Sequence, residues 1–225
     1  LAGIAAPTRL REQQDSDGRP CAVLPRPVGT HHYTVVIATE PDGAALVDME
    51  QVDSWVAEWG HWLANLGDEP GMVAASVTLE TAPDTGTRLK REVLGQIDEE
   101  APEFARQVLL ETVEAYPHGS STVRAYIALT FTAGRDKKSN PEEMGRELAS
   151  RLPGLTQSLS ATGAGAARPL DAQELCEVIR IAYDPASAVL IEEARAAGDP
   201  FEIAWPDVGP TAHPAGGDQV RPDGA

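Results

Sequence analysis

The stretch "DMEQVDSWVAEWGHWLANLG", residues 48–67, holds three of the chain's four tryptophans. At about 100° per residue, its apolar side chains fall within an arc of roughly 120°, and His61 projects to the opposite side. The arc contains Val52, Trp55, Val56, Trp59, Trp62, Leu63 and Leu66. Asp48 is typical of an N-cap and Gly67 of a helix end. The pattern predicts an amphipathic helix whose tryptophans pack on a sheet. A nucleic-acid platform would combine aromatic with basic residues, and this helix has no basic residue.

Strand patterns lie on both sides of this helix. "PTRLRE" (7–12) and "CAVLP" (21–25) flank the turn-rich "QDSDGRP", in which Asp17-Gly18 is a hairpin signal. "HHYTVVIATE" (31–40) alternates as a strand does, and "GMVAASVTLETA" (71–82) and "STVRAYIALTFTA" (121–133) predict two more strands. The first of these two has Val73, Ala75, Val77 and Leu79 on one face. The second is expected to point Val123, Ala125, Ile127, Leu129 and Phe131 inward.

Three further segments predict helices. Residues 87–116 are helical in pattern, and Pro102 should interrupt this region or begin a second helix. Asn140 is a cap for a helix with Met144, Leu148, Leu152, Leu155 and Leu159 on one stripe, and a break is expected at Pro153-Gly154. Asp171 and Glu174 form a capping-box pattern at the start of the last helix, which Pro185 ends.

The order of these elements predicts an α+β fold. We expect a mixed β-sheet with an N-terminal antiparallel hairpin, one or two βαβ-like units, and helices packed mainly on one face. Residues 1–205 are expected to form a single α+β domain. Residues 206–225 are rich in Pro and Gly and are expected to be irregular.

The charge of the chain argues against a nucleic-acid partner. The formal net charge is −17, and the stretch between Arg26 and Arg88 contains ten acidic residues and no Lys or Arg. Such a surface repels phosphate backbones, so we expect no direct nucleic-acid binding. The acidic surface can serve solubility alone or can favour a basic protein partner, and the sequence leaves both readings open. The basic clusters Arg88, Lys90, Arg91 and Arg135, Lys137, Lys138 are candidates for a protein contact or ordinary solvated charge.

No motif assigns a catalytic, cofactor-binding or metal-binding residue. His31 and His32 are adjacent on a strand and therefore point to opposite faces. "HGSST" (118–122) lacks a nucleophile elbow, and "GAGAARP" (163–169) lacks the ending of a phosphate loop. The carboxylates of "DEEAPE" and "NPEE" are explained by helix starts. Cys21 and Cys176 are expected to be free thiols in a reducing compartment.

The chain begins with Leu1 and contains no apolar run of the roughly 20 residues that a transmembrane helix needs. We therefore expect a soluble piece of a longer protein, connected to a membrane only through segments outside it.

Several stretches together resemble one family. They are residues 29–93, residues 101–132, residues 147–187, and the closing "W–x3–GP–x–A" with "RPDGA". The chain resembles the soluble region of actinobacterial membrane proteins from conjugation-like, type IV secretion gene clusters. It is more distantly similar to the N-terminal domain of the large type IV secretion ATPases. Pro222 stands where that family usually has a histidine.

The resemblance implies a non-catalytic scaffold domain of a membrane-anchored transfer machine, on the cytoplasmic face of the cell membrane. Its implied partners are the secretion ATPase, the coupling protein or other copies of the chain, and no cofactor is implied. The alternative is an accessory enzyme of the same cluster, either a hydrolase around His118, Ser120 and Ser121 or a nucleotide-binding protein. A phosphate loop or a nucleophile elbow would favour that alternative.

Overall fold

The computed structural model describes residues 6–26, 31–41, 47–83, 93, 95, 97, 102–115, 121–133, 140–198 and 202–209. Within them lie six strands: β1 (Arg11–Gln14), β2 (Pro20–Arg26), β3 (His32–Thr39), β4 (Met72–Pro83), β5 (Ser121–Thr132) and β6 (Ala167–Pro169). The five α-helices of this part are α1 (Met49–Leu66), α2 (Glu103–Ala115), α3 (Pro141–Leu159), α4 (Ala172–Tyr183) and α5 (Ser187–Ala197). Short 3-10 turns occupy Ser160–Thr162 and Trp205–Asp207. Among the described helices, none combines the length and apolar character needed to span a bilayer.

The strands form one sheet in the order β1-β2-β3-β5-β4, and β6 lies beside β3. Each pairing that the structure describes is antiparallel. The β1–β2 hairpin turns through Asp15–Arg19, where the backbone N–H of Asp15 donates to the carbonyl oxygen of Arg19 and Gly18 has a φ of 78°. The predicted α+β class and N-terminal hairpin are confirmed.

Two helical crossovers organise the sheet. β3 and β4 run in the same direction, because each is antiparallel to β5, which lies between them, and α1 connects them. β5 and β6 also run in the same direction, because each is antiparallel to β3, which lies between them, and α3 connects them. This is the split βαβ arrangement of ferredoxin-like folds. The expected βαβ-like crossovers are therefore present. The pairing is antiparallel rather than mixed, because each crossover leaves a one-strand gap that another strand fills.

The main core lies between α1, α3 and one face of the sheet, called here the helical face. Its sheet residues come mainly from the centre of β3 and β5, and they pack with Trp62 and Leu66 of α1 and with the stripe of α3. The sheet residues are Cys21, Val23, Tyr33, Val35, Ile37, Ile127, Leu129 and Phe131. The stripe predicted for α3 is confirmed, since all five of its residues are buried.

A smaller cluster lies on the second face of the sheet. Leu175 of α4 and Leu170 pack there with Ala22 and Val36. The helices thus occupy both faces, whereas the sequence predicted mainly one. The reason is that β2 and β3 carry apolar residues at consecutive positions, so both of their faces require cover.

The tryptophans fix α1 to α3 and to the 3-10 turn that follows it. Trp62 is only 2% exposed and donates from Nε1 to the carbonyl oxygen of Leu155 at 3.2 Å. Trp59 stacks on Trp62, with ring centroids 5.1 Å apart. Trp55 lies against Gly163, whose φ is 71°. The prediction of a buried tryptophan face is confirmed in part: Trp62 and Leu66 are buried and Trp55 and Trp59 are partly buried. Val56 and Leu63 of the predicted arc are exposed, and His61 is exposed as expected.

Proline does not break α3, contrary to expectation. The helix runs continuously through Pro153, which costs roughly 3 kcal/mol in a helix interior. Burial of a large aliphatic side chain contributes roughly 1.5–3 kcal/mol, and α3 buries five such side chains on one stripe. Packing therefore outweighs the local penalty. At the other proline, Pro102, a new helix begins as predicted, because α2 starts at Glu103.

Substitution of Gly163 tests the tryptophan contact. A Cβ at this position would lie 2.5 Å from Cδ2 of Trp55. We expect Gly163→Ala to lower the free energy of unfolding by about 1–2 kcal/mol for the left-handed backbone. Overpacking against Trp55 adds about 1–3 kcal/mol. Chemical denaturation measures the loss.

Gly198→Ala is the matched control. Gly198 also has a positive φ, of 80°, but nothing lies within 4 Å of a Cβ placed there. This variant should lose only the stability that the left-handed backbone costs an alanine, without the overpacking against Trp55. Equal losses in the two variants would contradict a role for Trp55 in holding the turn.

Candidate interaction surface

The histidine pair does not form a metal site in the structure. His31 is exposed and has a φ of 50°, while His32 is the first residue of β3 and is partly buried. Across the described ranges, no group of three or more His, Cys, Asp or Glu side chains could hold a metal ion.

Some of the other candidate motifs form ordinary local structure, and the rest lie outside the described residues. In the "GAGAARP" stretch, Gly163 ends the 3-10 turn and residues 167–169 form β6. Asn140 accepts a hydrogen bond from the backbone N–H of Glu142 and caps α3, and the capping box at Asp171 and Glu174 is formed. His118–Ser120, most of "DEEAPE", and the basic clusters Arg88, Lys90, Arg91 and Arg135, Lys137, Lys138 lie outside the described residues.

Asp15 is a buried carboxylate that the sequence did not single out. It accepts hydrogen bonds from the backbone N–H groups of Asp17 and Arg19, at 2.9 and 2.8 Å, and from Nε of Arg19 at 2.8 Å. Burial alone would raise the pKa of Asp15, but these hydrogen bonds and the guanidinium hold it below its usual value. Arg19 also reaches Thr156 of α3, at 3.4 Å. The carboxylate therefore holds the hairpin turn and links it to α3.

Glu177 is a second buried carboxylate with a structural explanation. It pairs with Arg195 of α5 and accepts a hydrogen bond from Nε2 of Gln173 at 3.2 Å. Gln173 in turn accepts from the backbone N–H of Ile203 at 3.2 Å. These contacts join α4 to α5 and to the chain that leads to the 206–225 segment. The first part of that segment is packed, because Val208 is buried.

Both cysteines are free and buried. Desolvation by burial raises the pKa of each thiol to about 11. At neutral pH they are therefore protonated, and a thiol is a much weaker nucleophile than a thiolate. Their positions favour packing roles over chemistry.

The most distinctive surface is apolar and lies on β4 and β5. Ile127 and Ala125 of β5 are buried on the helical face, whereas their partners on β4, Val77 and Leu79, are 47% and 69% exposed. Val123 was expected to point inward but is 46% exposed. It lies where the β4–β5 pair extends past the end of β3, whose last residue pairs with Ala125. Val77, Leu79 and Val123 are called here the ribbon face.

The opposite side of the same two strands is polar. The hydroxyl of Tyr126 donates to Oε2 of Glu80 at 2.9 Å. Burial, together with the Glu80 carboxylate, raises the pKa of Tyr126 to about 12. Glu80 lies directly opposite Arg124 in the strand register. The ribbon is therefore amphipathic, and its apolar side is partly exposed.

Helix α2 adds a second exposed apolar surface to the connection between β4 and β5. Phe104 is 78% exposed, and Val108, Leu109 and Leu110 are also exposed, while Val113 is buried. Of the fourteen large hydrophobic residues exposed in the described part, eight belong to β4, α2 and β5. Such concentration is typical of an interaction site rather than of scattered surface residues.

Adjacent antiparallel strands can be joined by a two-residue turn, but residues 84–120 separate β4 from β5. Long connections in compact domains are commonly functional. The sequence pattern did predict the helix inside this connection. It could not show that the helix leaves its apolar residues exposed, because that depends on what the rest of the chain covers.

Comparison with models of protein families, with curated proteins and with solved structures finds no match to this chain.

Substitution of Asp15 tests the hairpin carboxylate. The folded pKa of Asp15 lies below the reference value of 3.8. Its contribution to stability is therefore fully present above that pH and is lost as the pH falls through the folded pKa. We expect Asp15→Asn to lower the free energy of unfolding by about 1–3 kcal/mol at pH 7. The difference from the unsubstituted chain should shrink below about pH 3.8.

Denaturant titrations across pH measure this difference. Asp17→Asn is the control, because the Asp17 side chain is 59% exposed and lies 3.4 Å from the same arginine. An exposed pair contributes about 0–1 kcal/mol. A pH-independent loss in Asp15→Asn would contradict the assignment.

Proposed function

We propose that this chain is a non-catalytic scaffold domain of a membrane-anchored component of a conjugation-like, type IV secretion apparatus. In this proposal it faces the cytoplasm and binds the secretion ATPase or the coupling protein through α2 and the ribbon face. The resemblance described above supplies the apparatus, and the exposed apolar surface supplies the binding site.

The observation that carries the proposal is the apolar side of α2. A split βαβ fold needs no helix between the two strands of its hairpin, here β4 and β5, yet a helix stands in that connection with Phe104 78% exposed. Exposing a phenylalanine on an amphipathic helix is unfavourable unless a partner covers it. Helix-in-groove recognition uses apolar anchors at i, i+3, i+4 and i+7 spacing, and Phe104 and Val108 have the i, i+4 part of this spacing.

The charge favours a protein over a nucleic acid as that partner. The chain carries a net charge of −17, and ten of its acids fall in the basic-free stretch that includes α1 and β4. Nucleic-acid affinity depends mainly on neutralising phosphates with Lys and Arg, which this stretch lacks. An acidic surface around an apolar patch instead suits a protein with basic residues at the rim of its site.

Binding of the purified chain to the secretion ATPase of the same gene cluster, and to the coupling protein, tests the proposal. We expect saturable binding to one of them. Phe104→Ser should weaken it about tenfold or more, because truncating a buried aromatic anchor costs about 2 kcal/mol or more at an interface. Titration by biolayer interferometry measures the dissociation constants.

Leu190→Ser is the matched control, since Leu190 lies on α5 and is 58% exposed. It should leave the dissociation constant unchanged. Both variants should stay within about 0.5 kcal/mol of the original stability, because exposed positions contribute little to folding. Absence of binding to both proteins, with the chain folded, would overturn the proposal. Equal weakening by the two variants would place the contact elsewhere.

A further inference from the structure

The outer edge of β4 is a second binding feature, formed by the backbone of the strand that carries Val77 and Leu79 of the ribbon face. β4 is the last strand in the sheet order, and within the described ranges no strand pairs with its outer side. It is twelve residues long. The opposite edge strand, β1, has only four residues, and Arg11 on it forms a salt bridge with Glu142 of α3 at 3.0 Å. One edge is thus short and charged, and the other is long.

The composition of β4 provides little protection against pairing. Natural edges are usually guarded by lysines, prolines or bulges. β4 has a register irregularity near Val73 and a proline at its last position, Pro83. Between them, from Ala74 to Ala82, the strand is regular, and Glu80 is the only charged residue. A single acidic residue leaves the edge open to another strand.

We infer that a second copy of this chain pairs with β4, antiparallel and about a two-fold axis. The inference concerns the backbone edge and does not rest on the proposed function. A symmetric pairing centred on Val77 places Val77 opposite Val77 of the second copy, and Leu79 opposite Ala75 of the second copy. Directly opposed residues lie on the same side of an antiparallel sheet, so the apolar sides of the two copies adjoin.

The near-neutral edge of β4 permits pairing with a second copy and offers a basic strand little attraction. The rest of the surface, at a net charge of −17, disfavours close approach of two copies, whereas β4 is nearly neutral. A basic strand would find no carboxylate from Gly71 to Leu79. In the symmetric register, Glu80 lies opposite Ala74, and the two Glu80 residues are about 20 Å apart along the strands. At that distance their repulsion is largely screened at physiological salt.

Helix α1 also exposes apolar side chains. Trp55 and Trp62 turn one side of α1 toward α3 and the following 3-10 turn. Val56 and Leu63 occupy the other end of the apolar arc, directed away from α3, and both are exposed. The two-fold pairing would bring these residues of both copies to one side of a continuous sheet.

The oligomeric state of the full 225-residue chain tests the inference. We expect light scattering after size exclusion to give the mass of a dimer at about 100 µM, a concentration at which even a weak specific dimer is populated. Val77→Lys and Val77→Glu each place like charges opposite one another. Each alone should raise the dissociation constant of the dimer about tenfold or more. An equimolar mixture of the two variants, one carrying a mass tag, should restore the dimer as a heterodimer.

Leu190→Lys is the control for added charge and should leave the dimer intact, because Leu190 lies on α5. The midpoint of thermal unfolding shows that each variant is folded, and Leu79→Lys on the same edge serves if a Val77 variant is not. A monomer mass at about 100 µM would overturn the inference. So would a dimer that Val77→Lys does not weaken, or a mixture that fails to recover. Because Val77 also belongs to the ribbon face, binding to the secretion proteins is judged on Phe104→Ser, which lies on α2 and not on β4. The two proposals therefore fail separately.

Discussion

Every layer of the molecule depends on β3, because both of its edges and both of its faces are occupied. β5 pairs along one edge, and β2 and β6 share the other. Val35 and Ile37 face α1 and α3, while Val36 faces the second cluster. A strand buried on both faces needs a nearly continuous apolar run, and β3 has one. The two crossovers are therefore fixed in space by one strand: the first begins at β3, and the second ends beside it.

Local patterns predicted those features whose physics is local. The arc of tryptophans predicted α1, because a helix that buries one side must repeat apolar residues every three to four positions. The caps at Asn140 and Asp171 were predictable, since each satisfies backbone N–H groups within its own first turn. Alternation on β5 correctly indicated which residues share a face. Asp15 escaped prediction, because its burial depends on contacts with α3, far away in the chain.

Coverage of a face is not a local property, and it is where the sequence failed. Val77 and Ile127 are cross-strand partners on the same face with similar side chains, yet Ile127 is buried and Val77 is not. The strand pattern is the same in both cases. The difference is the position of α1 and α3 above the sheet, which follows from the order of the strands. Pairing order is a long-range outcome, and alternation within one strand carries no information about it.

Strand and helix dimensions explain why β4 is the strand left bare. A helix is about 10 Å across, and neighbouring strands are about 4.8 Å apart, so two helices cover about four strands. The sheet is five strands wide along the β1-β2-β3-β5-β4 path. Because the N-terminal hairpin adds β1 and β2 at one side, α3 packs over them, and Gln13 of β1 lies 3.2 Å from a Cβ placed on Gly145. The two helices then end their coverage at β5. The added hairpin and the exposed β4 are thus consequences of one geometric constraint.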